Sequence, residues 1–178
     1  MNVLDQKKSL IQKIPDSYNK GNAFNILALS ALTILLVNNK KKVVARQNFS
    51  EAISIPKLVK LDSMDEQTRR LVLLLSELGA PDDNNVIPSL YRHLVYWPGF
   101  LSLSWSTLVP LALDGRLQSI TDLTYQLAGE RATNIADVVV WGPEPPRAEE
   151  AMKAIDKFRI STISRMLPIG LILRKAAG

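Results

Sequence analysis

The chain of 178 residues contains no cysteine. A disulfide framework, a thiol peroxidase and a cysteine-ligated zinc site are therefore excluded within it. It has a single histidine, His93, so a multi-histidine metal centre is excluded as well. Only a hard cation bound by carboxylates fits the composition, and no metal is expected. Aromatic residues are scarce, at 6%. No glycine-rich phosphate loop, no G-x-S-x-G elbow and no H-E-x-x-H helix occurs in the chain. Each of those motifs is local, so its absence argues against the chemistry that depends on it. Lack of cysteine suits a reducing compartment, and a cytoplasmic protein is expected.

What is present is ordinary for a globular domain: 47% apolar and 22% charged residues. That length and balance support one domain over residues 1–178 with a real core. The formal charge of +5 comes mainly from "KK" at 7–8, "NNKKKVVAR" at 38–46 and the ending "RMLPIGLILRKAAG". These clusters lie at ends and loops, away from the tryptophans. A nucleic-acid surface would set them on one face or beside stacking aromatics, so no nucleic-acid partner is expected. The start, "MNVLDQKKSLIQKIP", lacks the apolar core and cleavage site of a secretory signal. "AFNILALSALTILLV" (23–37) falls short of the roughly 20 residues needed to cross a bilayer. The run from 91 to 113 is broken by Pro98, Gly99 and Pro110, which would leave backbone groups unsatisfied in lipid. No membrane span is expected.

Almost every segment has a helical pattern, and the predicted class is all-α, a helical bundle. In "DSMDEQTRRLVLLLSELGAP", Ser63 and Glu66 have capping-box spacing, and Gly79 offers a left-handed stop before Pro81. "IPSLYRHLVYW" starts a helix near Pro88. Pro98 lacks an amide and biases Trp97 out of helical geometry, so two helices are expected to meet at Trp97–Pro98. The second should end near Leu113, before the turn at Asp114–Gly115. Leu117, Ile120, Leu123, Leu127, Ile135 and Val138 recur at three-to-four spacing, which predicts a long helix buried along that stripe, with a possible bend at Gly129. "WGPEPPR" (141–147) is a Pro-rich connector, and residues 141–178 form that connector and a C-terminal helix. Met152, Ile155, Phe158 and Ile163 are expected on one flank of the last helix. Only short stretches such as "KKVVAR" offer strand chemistry. "SYNKGNAFNILALSAL" opens with turn chemistry before a buried-looking helix with little preceding it. The missing surface is expected either from another copy, in a homo-oligomer, or from upstream residues of a longer protein.

Candidate functional residues cluster around the Pro-Gly pair. His93 has a reference pKa near neutrality and suits proton transfer; equally, it suits a helix end where it bonds carbonyls. Arg92 is able to hold a carboxylate by a two-point contact, or to pair with a neighbouring helix. Tyr91, Trp97, Phe100 and Trp105 are the rings that would line a cavity beside Gly99, or fill the core. Ser102 and Ser106 have no nearby base. Asp114, Asp122, Glu130 and Asp137 lie downstream, and none stands out as a general base, so no catalytic residue is assigned.

"LYRHLVYWPGFLSLSWSTLVPL" resembles the repeated helix pair of the halocarboxylic acid dehydrogenase family, the group I 2-haloacid dehalogenases. "YNKGNAFNILALSAL" is similar to the segment closing the first of that family's two related halves. The resemblance covers roughly residues 14–37 and 83–135. It implies a two-repeat, AhpD-like all-α fold, of which residues 1–50 resemble the end of a first repeat and 83–140 the second. It also implies a hydrolase acting on small organic acids without a cofactor: an aspartate activates water, which displaces halide with inversion. Trp97 and Phe100 match aromatics expected near that family's pocket, and Tyr91, Arg92, His93 and Trp105 complete the candidate substrate-binding set. The chain departs from the pattern in having no acid between His93 and Leu113, and the thiol pair of AhpD-like peroxidases is missing. The alternative is a non-catalytic helical binding or assembly module using the apolar faces of 23–37 and 97–113.

Overall fold

The computed structural model describes residues 3–38, 55–81, 86–138 and 147–178, with side chains from residue 10 to 37 in the first stretch. The strand-like "KKVVAR", the basic cluster at 38–46 and most of the Pro-rich connector lie outside what is described. Among the described residues every element is helical, in agreement with the predicted class. In chain order they are α1 (Val3–Asn38), a single 3-10 turn (Leu61–Ser63), α2 (Glu66–Gly79), α3 (Ser89–Leu94) and α4 (Pro98–Leu113). Then come α5 (Arg116–Val138), α6 (Ala148–Phe158), a π turn (Arg159–Ile163) and α7 (Ser164–Ala176).

The main core gathers Ile14 of α1, Val72 and Leu75 of α2, and Leu90 and Leu94 of α3. Leu101 and Leu108 of α4, Leu117 of α5 and Ile169 and Leu173 of α7 complete it. A smaller core runs along α1 and α5, through Ala31, Leu35, Ala132 and Ala136. The break at Trp97–Pro98 is present: Trp97 has non-helical φ and ψ of −132° and 78°, and Pro98 opens α4. α4 ends at Leu113, and Gly115 takes a φ of 82° in the turn that follows.

Several expectations need correction. "SYNKGNAF" forms no turn. Gly21 lies inside α1 with open space around it, so nothing there demands a glycine conformation. The apolar stretch is consequently longer than the run at 23–37: Leu10–Val37 is 28 residues, and an 18-residue window within it has mean hydropathy 1.5, enough by length and composition to cross a membrane. A mostly buried core helix passes the same test, and 22% of this window is buried. α1 lies against α5 and α7, with Asp16 paired to Arg174 at 2.9 Å. The cap of α2 is Asp65, whose carboxylate accepts from the Thr68 amide at 2.8 Å. Ser63 instead bonds back to the Lys60 carbonyl within the 3-10 turn. Gly79 is not left-handed; it is the last residue of α2, and it leaves room for the Met166 sulfur and the Tyr91 ring.

The largest correction concerns α5. It is one continuous helix, but Ile120, Leu123, Leu127 and Val138 are exposed, with Leu123 at 52%. The buried face carries Leu117, Thr121, Ala128, Ala132 and Ala136. Small side chains let α1 and α7 approach closely, and that geometry outweighs the leucine spacing. In the last helix, likewise, Ile163 is buried while Phe158 is exposed, because the π turn between them changes the helical register.

Where α7 crosses α1, Gly170 faces Asn19, and a Cβ on Gly170 would overlap the Asn19 Oδ1 atom. Both polar atoms of that buried amide lack a partner among the described residues. Gly170→Ala is expected to lower stability by about 1–3 kcal/mol through overpacking. In an Asn19→Ala background the loss should largely vanish. A double-mutant cycle by urea denaturation measures this; additive effects would show that the two positions do not touch.

Candidate functional site

The residues expected to form a pocket are placed together, largely in structural roles. Tyr91 is fully buried in the main core, and burial pushes its phenol well above the ordinary range. Trp97, Phe100 and Trp105 are half-buried against the same core. Arg92 donates from Nε to the Val59 carbonyl at 2.9 Å, and Tyr96 donates to the Lys57 carbonyl at 2.8 Å. His93 Nε2 is 2.9 Å from the Pro56 carbonyl, which only accepts, so Nε2 carries the proton. Nδ1 is then the acceptor for the Tyr18 hydroxyl at 2.7 Å. Together these side chains fasten the extended segment at 55–60 to α3 and α1. Both ring nitrogens of His93 are committed. Burial holds its pKa below the ordinary imidazole value, against the Pro56 carbonyl, with Arg92 adding in the same direction as burial.

A polar cleft of about 180 Å³ lies elsewhere, between α5 and the π turn. Gln118, Thr121, Asp122 and Tyr125 supply one wall. They sit at i, i+3, i+4 and i+7, a single face of α5. Ile160 and Ser161 of the π turn, with Ser164 and Arg165 of α7, form the other, and Pro81 closes an edge. The volume is below the range of sites for drug-sized ligands, which points to a small occupant.

Arg165 is held in place. Its Nε donates to the Leu78 carbonyl at the end of α2, and Nη1 donates to Gln118 Oε1 at 2.6 Å. Gln118 in turn donates from Nε2 to Asp122 Oδ1 at 2.7 Å. A fixed guanidinium and a carboxylate are thus connected through one amide on the wall of the cleft. Behind Tyr125, the guanidinium of Arg159 stands 5.1 Å from the ring centroid. Arg159 is only 5% exposed and bonds Thr33 of α1 at 2.8 Å and Asp156 of α6 at 2.9 Å. The ring that faces the cleft is therefore backed by a buried cation.

None of the residues anticipated around Trp97 lines this cleft. In the sequence Asp122 is one of several undistinguished carboxylates, and Gln118, Tyr125, Ser161, Ser164 and Arg165 belong to no recognisable motif. The apolar spacing gives no clear sign of the π turn at Arg159–Ile163, since Ile160 lies between Phe158 and Ile163; such turns frequently mark functional sites. No family model matches the sequence, and no similarity to a curated protein or a solved structure was found.

The protonation of His93 has a testable consequence. The unfolded chain takes up a proton near pH 6.5 that the folded imidazole resists, so stability is full above that value and falls as the pH drops below it. The thermal midpoint should decrease between about pH 7.5 and about pH 5.5, a range spanning that reference value. His93→Gln should be less stable at the higher pH and lose part of the acid-side decrease. Equal decreases in both proteins would remove His93 as a cause.

Proposed function

We propose that the protein binds a small organic acid in the cleft between α5 and the π turn. On this reading it belongs with the dehalogenase-like proteins that residues 91–113 resemble, in their two-repeat, AhpD-like arrangement. The observation carrying it is that Arg165, fixed by Leu78 and Gln118, and the Asp122 carboxylate line the same cleft and are linked through the Gln118 amide. Arg165 supplies a planar cation for a substrate carboxylate. Asp122 supplies the acid that the stretch from His93 to Leu113 lacks. The reaction implied is hydrolytic dehalogenation of a 2-haloalkanoic acid. Asp122 takes a proton from water, the water oxygen bonds to the α-carbon, and halide leaves with the bonding electron pair. No cofactor takes part, and a cytoplasmic setting suits the chemistry.

Incubation of the purified protein with 2-chloropropionate tests the catalytic part. Halide release above a heat-killed control is expected, reduced at least about a hundredfold by Asp122→Asn. Arg165→Lys should raise KM, since an ammonium cannot reproduce the two-point contact. No halide from the unaltered protein would defeat the enzymatic reading.

A second reading, an assembly module, is favoured by the exposed stripe of Ile120, Leu123 and Leu127 on α5. Such a stripe suits association with another copy of the chain. Light scattering should then give a mass above one chain, and Leu123→Lys should lower it. A monomer at high concentration would exclude this reading.

A further inference from the structure

Three contacts fix how α7 lies along α1. Gln12 donates to the Ala177 carbonyl at 3.3 Å, Arg174 donates to Asp16 at 2.9 Å, and Gly170 faces Asn19. Residue numbers fall along α7 as they rise along α1, so the two helices are antiparallel and in a known register. On α1, Leu10, Lys13, Lys20 and Phe24 recur at three-to-four spacing through Ser17, which puts them on one face. All four are exposed. On α7, Leu171 and Lys175 are exposed one turn apart, and Arg174 beside them is partly exposed. Asp16 is one turn from both Lys13 and Lys20, and Arg174 is one turn from Leu171. The bond between Asp16 and Arg174 therefore joins the two faces along a common edge.

The joined surface is cationic, with leucines standing among the cations. Asp16 is the only acidic side chain described on α1 and α7, and Arg174 already neutralises it. Lys13, Lys20 and Lys175 supply the excess charge. Leu171 is 55% exposed and Leu10 is 38% exposed. None of these residues lines the cleft beside α5. A second copy of the chain suits this surface badly, because a two-fold contact would set lysines against lysines. A nucleic acid would pair with the cations but gain nothing from the leucines. A bilayer containing anionic lipid uses both: ammonium groups reach the headgroups while leucines enter the boundary of the acyl chains. We propose that this face of α1 and α7 docks on anionic lipid bilayers, with both helices lying in the plane of the interface. Lysine stems rest along the apolar boundary and keep their charges in water.

Flotation of the full chain with phosphatidylcholine vesicles, with and without phosphatidylserine, tests this. At low salt the mixed vesicles should be bound at least about tenfold more tightly than the neutral ones, and released as salt is raised. Lys13→Gln, Lys20→Gln and Lys175→Gln should each weaken binding about fivefold, the effect of one lysine near an anionic surface. Leu171→Asn should weaken it by about the same factor at every salt concentration that still permits binding, since the loss is of apolar burial. All four side chains are exposed, so the thermal midpoints should not change. Lys57→Gln and Lys60→Gln, on the segment at 55–60, should leave binding within about twofold. An equal loss from those two variants would overturn the assignment to α1 and α7. Absence of binding to the mixed vesicles at low salt would overturn the proposal, as would full binding by Leu171→Asn. Displacement from vesicles by a single-stranded oligonucleotide, with Leu171→Asn without effect, would mark a nucleic-acid surface instead. A mass above one chain that Leu171→Asn lowers would mark a contact between copies.

Discussion

A buried guanidinium sets the conditions for much of the structure. Arg159 cannot leave its charge uncompensated in an apolar interior, so partners must come to it from other elements. They come from Thr33 on α1, Tyr125 on α5 and Asp156 on α6. Two helices distant in sequence, α1 and α5, are thereby brought to the end of α6. The π turn starts at Arg159 itself. A regular helix through this segment would give its side chains different directions, and the guanidinium would have to meet α1 and α5 from another angle. The polar contact at Arg159 and the irregular backbone belong to one arrangement.

Close packing of small side chains provides the remaining adhesion. Ala128, Ala132 and Ala136 line the buried side of α5, and Gly170 lets α7 settle against Asn19. Small residues contribute little transfer energy one at a time, but they bring helices near enough for dense dispersion contact. The consequence is visible on the outside of α5, where Ile120, Leu123 and Leu127 are displaced from the core. The interior gains close approach, and the surface keeps an apolar stripe that suits a partner.

Much of the fold was legible in the sequence because it depends on strong local rules. Pro98 after Trp97 forces a break, Asp114–Gly115 forces a turn, and the long polar-apolar repeat from Arg116 forces a helix. The errors arose where two local signals competed or where tertiary contact decided. Ser63 and Asp65 are both capping residues, and only the structure shows that Asp65 takes the Thr68 amide. The buried face of α5 was misjudged because alanine is neutral in a search for apolar periodicity, whereas leucine dominates it. The candidate site was scarcely legible. Its α5 residues look like any solvated polar face, and Arg165 meets Gln118 across 47 positions of chain.

The two candidate regions also illustrate how differently a polar group behaves when its partners are backbone carbonyls. His93, Arg92 and Tyr96 all spend donors on the carbonyls of residues 56, 57 and 59, and so secure a segment that joins no sheet among the described residues. In the cleft, Arg165 also spends a donor on a carbonyl, that of Leu78, but its further donor goes to Gln118, and the chain of bonds continues to Asp122. The first arrangement ends in the backbone and stabilises it. The second ends on a carboxylate facing a space of about 180 Å³, where a small solute can enter the network. A guanidinium has five N–H donors in one rigid plane, so several partners at once orient the group. On this physical ground the cleft, more than the ring of aromatics around Trp97, is the place in this fold where chemistry is expected.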